Sequence, residues 1–130
     1  MEELIRVLHA KIHGATVTHA DLNYEGSITI PPDLMKAANL LENEVVAVWD
    51  ITNGNRIETY AISGEEGSRY ICANGAAAHL IREGDEVIIA SFRYISAQRA
   101  RNHIPRLIFL DEKNEVKRIG KETPGPAKCA

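Results

Sequence analysis

Cysteine is scarce in this 130-residue sequence: Cys72 and Cys129 are the only two. Two thiols so far apart make neither a disulfide framework nor a metal knuckle, so a reducing, cytoplasmic setting is expected. Basic charge is not in excess either, with 15 Lys and Arg against 18 Asp and Glu and a formal charge of -3. That balance argues against a chain dominated by phosphate contacts, although a local basic patch would survive it. No apolar run approaches the roughly 18 residues of a membrane span. The start, Met1-Glu2-Glu3-Leu4, is acidic and lacks the basic and apolar regions of a secretory signal. Walker A, Gly-x-Gly-x-x-Gly and Gly-x-Ser-x-Gly patterns are all missing, and Gly64-Glu65-Glu66-Gly67 would repel phosphate.

At 45% hydrophobic and 25% charged, the chain has an ordinary composition for one soluble globular domain with a single core. Strand signals dominate. Val45 to Trp49 is a fully apolar, β-branched run suited to a strand buried on both faces. It leads to Asn53-Gly54, a hairpin signal because both residues tolerate positive φ, and Arg56 to Ile62 returns with β-branched and aromatic content. Further strands are expected at Val17 to Leu22, Ser27 to Ile30, Arg69 to Ala73, Glu86 to Tyr94, Leu107 to Leu110 and Val116 to Ile119.

No strand is assigned before Val17. There the pair His9/His13, four apart, falls roughly on one face of either a helix or a strand. A metal site needs at least one more ligand, and none stands nearby at the required spacing, so exposed or hydrogen-bonded histidines are expected. Helices are few and short. Pro31-Pro32-Asp33 opens a segment with Leu34, Ala37, Ala38 and Leu41 at helical spacing, and shorter candidates lie at Gly75 to Ile81 and Ser96 to Asn102. Many short strands with few helices point to a closed β-barrel, with residues 120–130 as a flexible tail.

The informative stretch runs from Thr18 to Ile30 and contains Tyr24-Glu25-Gly26-Ser27. On its own, Gly26-Ser27 is a turn into a strand. With Val17-Thr18-His19-Ala20-Asp21-Leu22 before it, however, the stretch resembles the self-processing site of the pyruvoyl-dependent L-aspartate α-decarboxylases. Further landmarks of that family follow in order: Lys11-Ile12-His13, Trp49 to Gly54, Arg56, Thr59 to Ile62, Gly67-Ser68-Arg69, Asn74 to His79 and Gly84 to Ile89. Each is weak alone, and the ordered set spans nearly the whole chain. One departure is Asn23, which stands where many members carry His.

The resemblance implies a mainly β fold, a small six-stranded double-psi β-barrel with a few short helices, covering residues 1–119. It implies a chain that cuts itself between Gly26 and Ser27, leaving a β chain of residues 1–26 and an α chain of residues 27–130. Ser27 then becomes a covalently bound pyruvoyl group, with no pyridoxal phosphate and no metal. The implied reaction converts L-aspartate to β-alanine and CO2 through a Schiff base, for pantothenate and coenzyme A biosynthesis. Tyr24 and Thr59 join Gly26 and Ser27 in processing, Thr59 as the donor to the oxyanion. Arg56 clamps the retained substrate carboxylate bidentately and Lys11 adds charge. Tyr60 is the proton donor, while Thr59 also binds substrate and Asn74, Gly75, Ala76 and Ala77 position the intermediate. Trp49 and Ile88 wall the pocket or simply pack in the core.

By the same resemblance the protein is a cytoplasmic homotetramer with active sites between subunits. An accessory maturation protein is allowed as a partner; nucleic acid and membrane are not. Judged as residues alone, Arg56, Thr59 and Tyr60 would be structural. Alternation puts Arg56 and Tyr60 on one face and Thr59 on the other, so a bulge, a strong twist or a neighbouring subunit must reconcile them.

Two other functions compete. Gly26 to Leu34 followed by Leu41 to Val46 is also similar to the swapped-hairpin β-barrels of DNA-binding regulators. Fold alone does not give function, and the acidic charge opposes that reading. An inactive barrel that only mediates assembly is the third.

Overall fold

A computed structural model describes residues 2–126, which leaves Met1, Cys129 and the end of the expected tail outside the described residues. Among the described residues nine strands carry the fold: β1 (Leu4–Thr16), β2 (His19–Asp21), β3 (Ile28–Ile30), β4 (Val45–Asp50), β5 (Arg56–Ser63), β6 (Cys72–Asn74), β7 (Glu86–Ser96), β8 (Arg106–Leu110) and β9 (Val116–Ile119). Two short helices, α1 (Pro32–Ala38) and α2 (Ala97–Ala100), and one 3-10 turn at Gly75–His79 complete it. The class is mainly β, as the sequence implies. The strands form one hydrogen-bonded order, β2-β6-β3-β5-β4-β7-β1-β8-β9, mixing antiparallel pairs with parallel β1·β8, β2·β6 and β3·β5.

The core is aliphatic and β-branched. Ile12, Ile28, Ile30, Val46, Val48 and Ile89 are fully buried, each contributing about 1.5–3 kcal/mol by leaving water. The periodicity that buries them also sets an outer face. Val46 and Val48 point inward, whereas Val45 and Trp49 do not.

The longest strand, β1, is the element the sequence does not reveal. Its register against β7 shifts between Leu8 and Ala10 and again between His13 and Ala15. Each bulge resets the parity, so no two-residue rhythm survives along Leu4–Thr16. His9 and His13 accordingly line different cavities. Residues 69–71 and 17–18 fall outside the strands expected there. Thr18 N–H donates to Ile71 O at 2.8 Å, and Thr18 Oγ accepts from Ile71 N–H at 3.0 Å and donates to Ile71 O at 3.1 Å, so a hydroxyl completes a pairing that the backbone alone leaves unfinished. Helix α1 stops at Asn39, whose φ of 59° ends it in the left-handed region before Leu41. Ser96 caps α2 rather than belonging to it, accepting from Arg99 N–H at 3.3 Å.

Candidate active site

Gly26 and Ser27 close the loop between β2 and β3. Gly26 has φ +92°, a region where an L side chain is strained, and a Cβ there would stand 3.0 Å from Ile62 Cδ1. Ser27 is only 5% exposed. Its carbonyl accepts from Asn74 N–H at 2.8 Å, and its hydroxyl accepts from Tyr60 N–H at 3.4 Å. These contacts hold the dipeptide between β5 and β6. Gly75 has φ +64°, and a Cβ there would stand 3.6 Å from the carbonyl oxygens of both Gly26 and Tyr24. The chain after β6 therefore passes close beside the peptide that would be cut.

A cleft of about 340 Å³ opens here, lined among others by Gly26, Ser27, Thr59, Asn74, Ala76 and Ala77. Six residues nominated from the sequence thus meet in one place, and Gly75 borders it. Ile57, Glu58 and Leu80 also line the cleft without having been nominated. Thr29, likewise missed, accepts the Asn74 side-chain amide at 3.1 Å and fixes its direction. Nothing local marks this residue, because its partner lies 45 positions away in sequence. A larger cavity of about 610 Å³ shares Asn74 and Thr29 with this region but contains Tyr24, Asp21 and Glu25 rather than Ser27. Tyr24 is mostly exposed there. The neighbouring Asn23 donates its N–H to Asp21 Oδ1 at 2.9 Å in a local turn.

The remaining nominated residues lie elsewhere. Tyr60 reaches Ser27 through its backbone, while its side chain stands on the opposite face of β5 from Thr59, because the β4–β5 ladder runs without a bulge. The ladders place His13 beside Ile88, Ile88 beside Trp49 and Trp49 beside Arg56, a continuous row across β1, β7, β4 and β5. Cross-strand partners share a face. The Arg56 guanidinium lies 4.6 Å over the Trp49 ring, which in turn meets Phe92 at 6.2 Å. Lys11 stands on the same face, paired with Glu122. Burial, and then the Lys11 charge, hold His13 below its ordinary pKa. No group of three His, Cys, Asp or Glu that could hold a metal occurs among the described residues, and none of their helices is long and apolar enough to cross a membrane.

Comparison with known proteins decides the family. The model of the aspartate decarboxylases matches residues 3–117. The chain belongs to the aspartate decarboxylase family. Relatives in this family include an aspartate 1-decarboxylase of Legionella pneumophila (strain Lens), 57% identical over 120 residues, 92% of this chain and 90% of the relative. Another, from Myxococcus xanthus, is 55% identical over 118 residues, 90% of this chain and 91% of that one. A third, from Rhodopirellula baltica, is 53% identical over 121 residues, 93% of this chain and 78% of its own. Family membership makes the chain a decarboxylase, and so a lyase, and favours the enzyme over a DNA-binding barrel.

Proposed function

We propose that the chain is a self-processing, pyruvoyl-dependent decarboxylase that converts L-aspartate to β-alanine and CO2 in the cytoplasm, supplying the amine for pantothenate and coenzyme A. The observation that carries this reading is the meeting of Gly26, Ser27, Thr59, Asn74, Ala76 and Ala77 around one cleft. Processing starts when Ser27 Oγ adds to the Gly26 carbonyl carbon and the Gly26–Ser27 C–N bond breaks, turning the peptide into an ester with a free amine. Elimination of the Gly26 carboxylate from the Ser27 Cβ leaves dehydroalanine, and water replaces its nitrogen, releasing ammonia. Such an attack needs close placement and a donor for the oxyanion. Burial of Ser27 and the turn at Gly26 supply the first, and the Thr59 hydroxyl is our choice for the second.

The residues present fit a pyruvoyl group at position 27: a small, buried side chain faces a cleft, flanked by a glycine and by the fixed amide of Asn74. When formed, that group supplies an electron sink for decarboxylation. Asn74, Gly75, Ala76 and Ala77 bind and orient the substrate beside it. Arg56 and Lys11 hold the retained carboxylate, and the Tyr60 phenol delivers the proton to carbon.

These three, with Trp49 and Ile88, lie on the outer sheet face, so in this reading they serve the cleft of a neighbouring protomer in a homotetramer. Exposed Val45 and Tyr60 on that face support such an interface. Lys11 exchanges its Glu122 partner for the substrate carboxylate. Residues 1–119 form the single double-psi barrel domain in this reading, and an accessory maturation protein remains compatible with it.

Denaturing mass analysis of mature protein tests the proposal. Two fragments divided between Gly26 and Ser27 are expected, the larger lighter by the elements of ammonia than its serine-starting form. A fully active preparation that stays uncut refutes it.

A further inference from the structure

We propose that Asp50 carries a proton that it donates towards Asp85, and that this pair latches together the two walls of the cleft, as a positioning pair for the reaction proposed above. One wall is Ile57 to Thr59 on β5; the other is Ala76, Ala77 and Leu80 on and after the 3-10 turn. Behind them, the amides of Asn53 and Asn55 both donate to Leu80 O, at 3.2 and 2.9 Å. Asp85 Oδ2 accepts from Arg82 N–H at 3.0 Å and from the Asn53 amide at 3.4 Å. On the hairpin side, Asp50 Oδ1 accepts from the N–H groups of Thr52 and Asn53, at 2.9 and 3.2 Å. Asp50 is 3% exposed and Asp85 8%, and Asp50 Oδ2 is buried with no partner.

No cation answers the pair: neither carboxyl forms an ion pair among the described residues. Charged groups on the surrounding elements are engaged elsewhere. Arg56 lies over Trp49; Glu58 lines the cleft itself. Glu83 lines the cavity with Tyr24, and Glu86 the one with His13. Arg82 and His79 are exposed. Asn53 joins the two carboxyls, its N–H on Asp50 and its amide on Asp85, so two buried carboxylates would repel each other here, and a proton on the orphaned Oδ2 makes it a donor towards Asp85.

Burial first, and then the hydrogen bond with Asp85, push the Asp50 carboxyl up to about 6. Because that value is raised in the folded chain, the pair's stabilisation is full at acid pH and is lost as pH rises through about 6. Asparagine at 50 would supply a permanent N–H donor of the same shape with no proton to lose.

The catalytic consequence alone rests on the decarboxylase reading, so the test has two arms. Thermal melts of wild type and Asp50→Asn between pH 5 and pH 8 should diverge, the wild type losing several degrees relative to the variant as pH rises. Over the same range the wild-type KM for aspartate should climb several-fold relative to Asp50→Asn, with the ratio of kcat unchanged. Asp50→Leu should raise KM at every pH, since it also strips the acceptor from Thr52 and Asn53. A melting difference independent of pH overturns the proton on Asp50, whether or not aspartate is turned over. A pH-dependent melting difference with a flat KM ratio overturns the latch.

Discussion

The Ser27 cleft and the outer face of the β1–β7–β4–β5 sheet are built by opposite means. The cleft forms where ladders stop: Gly26 and Gly75 take positive φ, and Ser27 is held by bonds to the Asn74 and Tyr60 backbones. The outer face is built on continuous pairing, interrupted only by the two bulges of β1, with His13, Ile88, Trp49 and Arg56 abreast on four strands. A peptide that must react has to leave the ladder, because ladder bonds occupy the carbonyl and fix the backbone as an extended strand. A surface that must present charge and aromatic rings gains from regular pairing, which aligns side chains. In our reading one protomer therefore carries cleavage chemistry in one place and charge recognition in another, and a complete site takes both from different protomers.

Breaking the cleft outright should have the largest effect. Ser27→Ala should stay a single chain on denaturing analysis and show no decarboxylation. Thr59→Val keeps the shape but removes the proposed oxyanion donor, and processing followed by gel should slow by about 10²–10³-fold. Breaking the other region should act differently. Arg56→Ala should still be cut, with KM for aspartate raised about 10–100-fold, the worth of a charge-assisted bond of about 1.5–3 kcal/mol. Mixed oligomers of Ser27→Ala and Arg56→Ala chains sharpen the comparison: activity above that of either parent is expected, and none would show that one protomer supplies both regions. The smallest effect is expected for Gly26→Ala. Strain at φ +92° should cost about 1–3 kcal/mol, read as a lowered Tm of the uncut chain.

Much of this was legible beforehand because it is local. The apolar run Val45 to Trp49, the turn residues Asn53-Gly54 and the Pro-Asp opening of α1 announce themselves within a few residues. The cleft was legible only through the order of family landmarks, since Gly26-Ser27 alone is any turn. What escaped depended on partners far along the chain. β1 hides because two bulges scramble its alternation, and Thr29 because its role exists only once Asn74 arrives from 45 residues away. Asp50 and Asp85 gave no warning, as their meaning lies in mutual burial.

The order of residues by itself determined the mainly β class, most of the shorter elements and the opposite faces of Thr59 and Tyr60, because backbone preference and two-residue alternation are short-range. Only tertiary structure decided which loops met at Ser27, which nominated residues were kept away from it, and which carboxyls were driven together. Those outcomes follow from the register of strands distant in sequence, where packing the aliphatic core fixes position more strongly than any local preference.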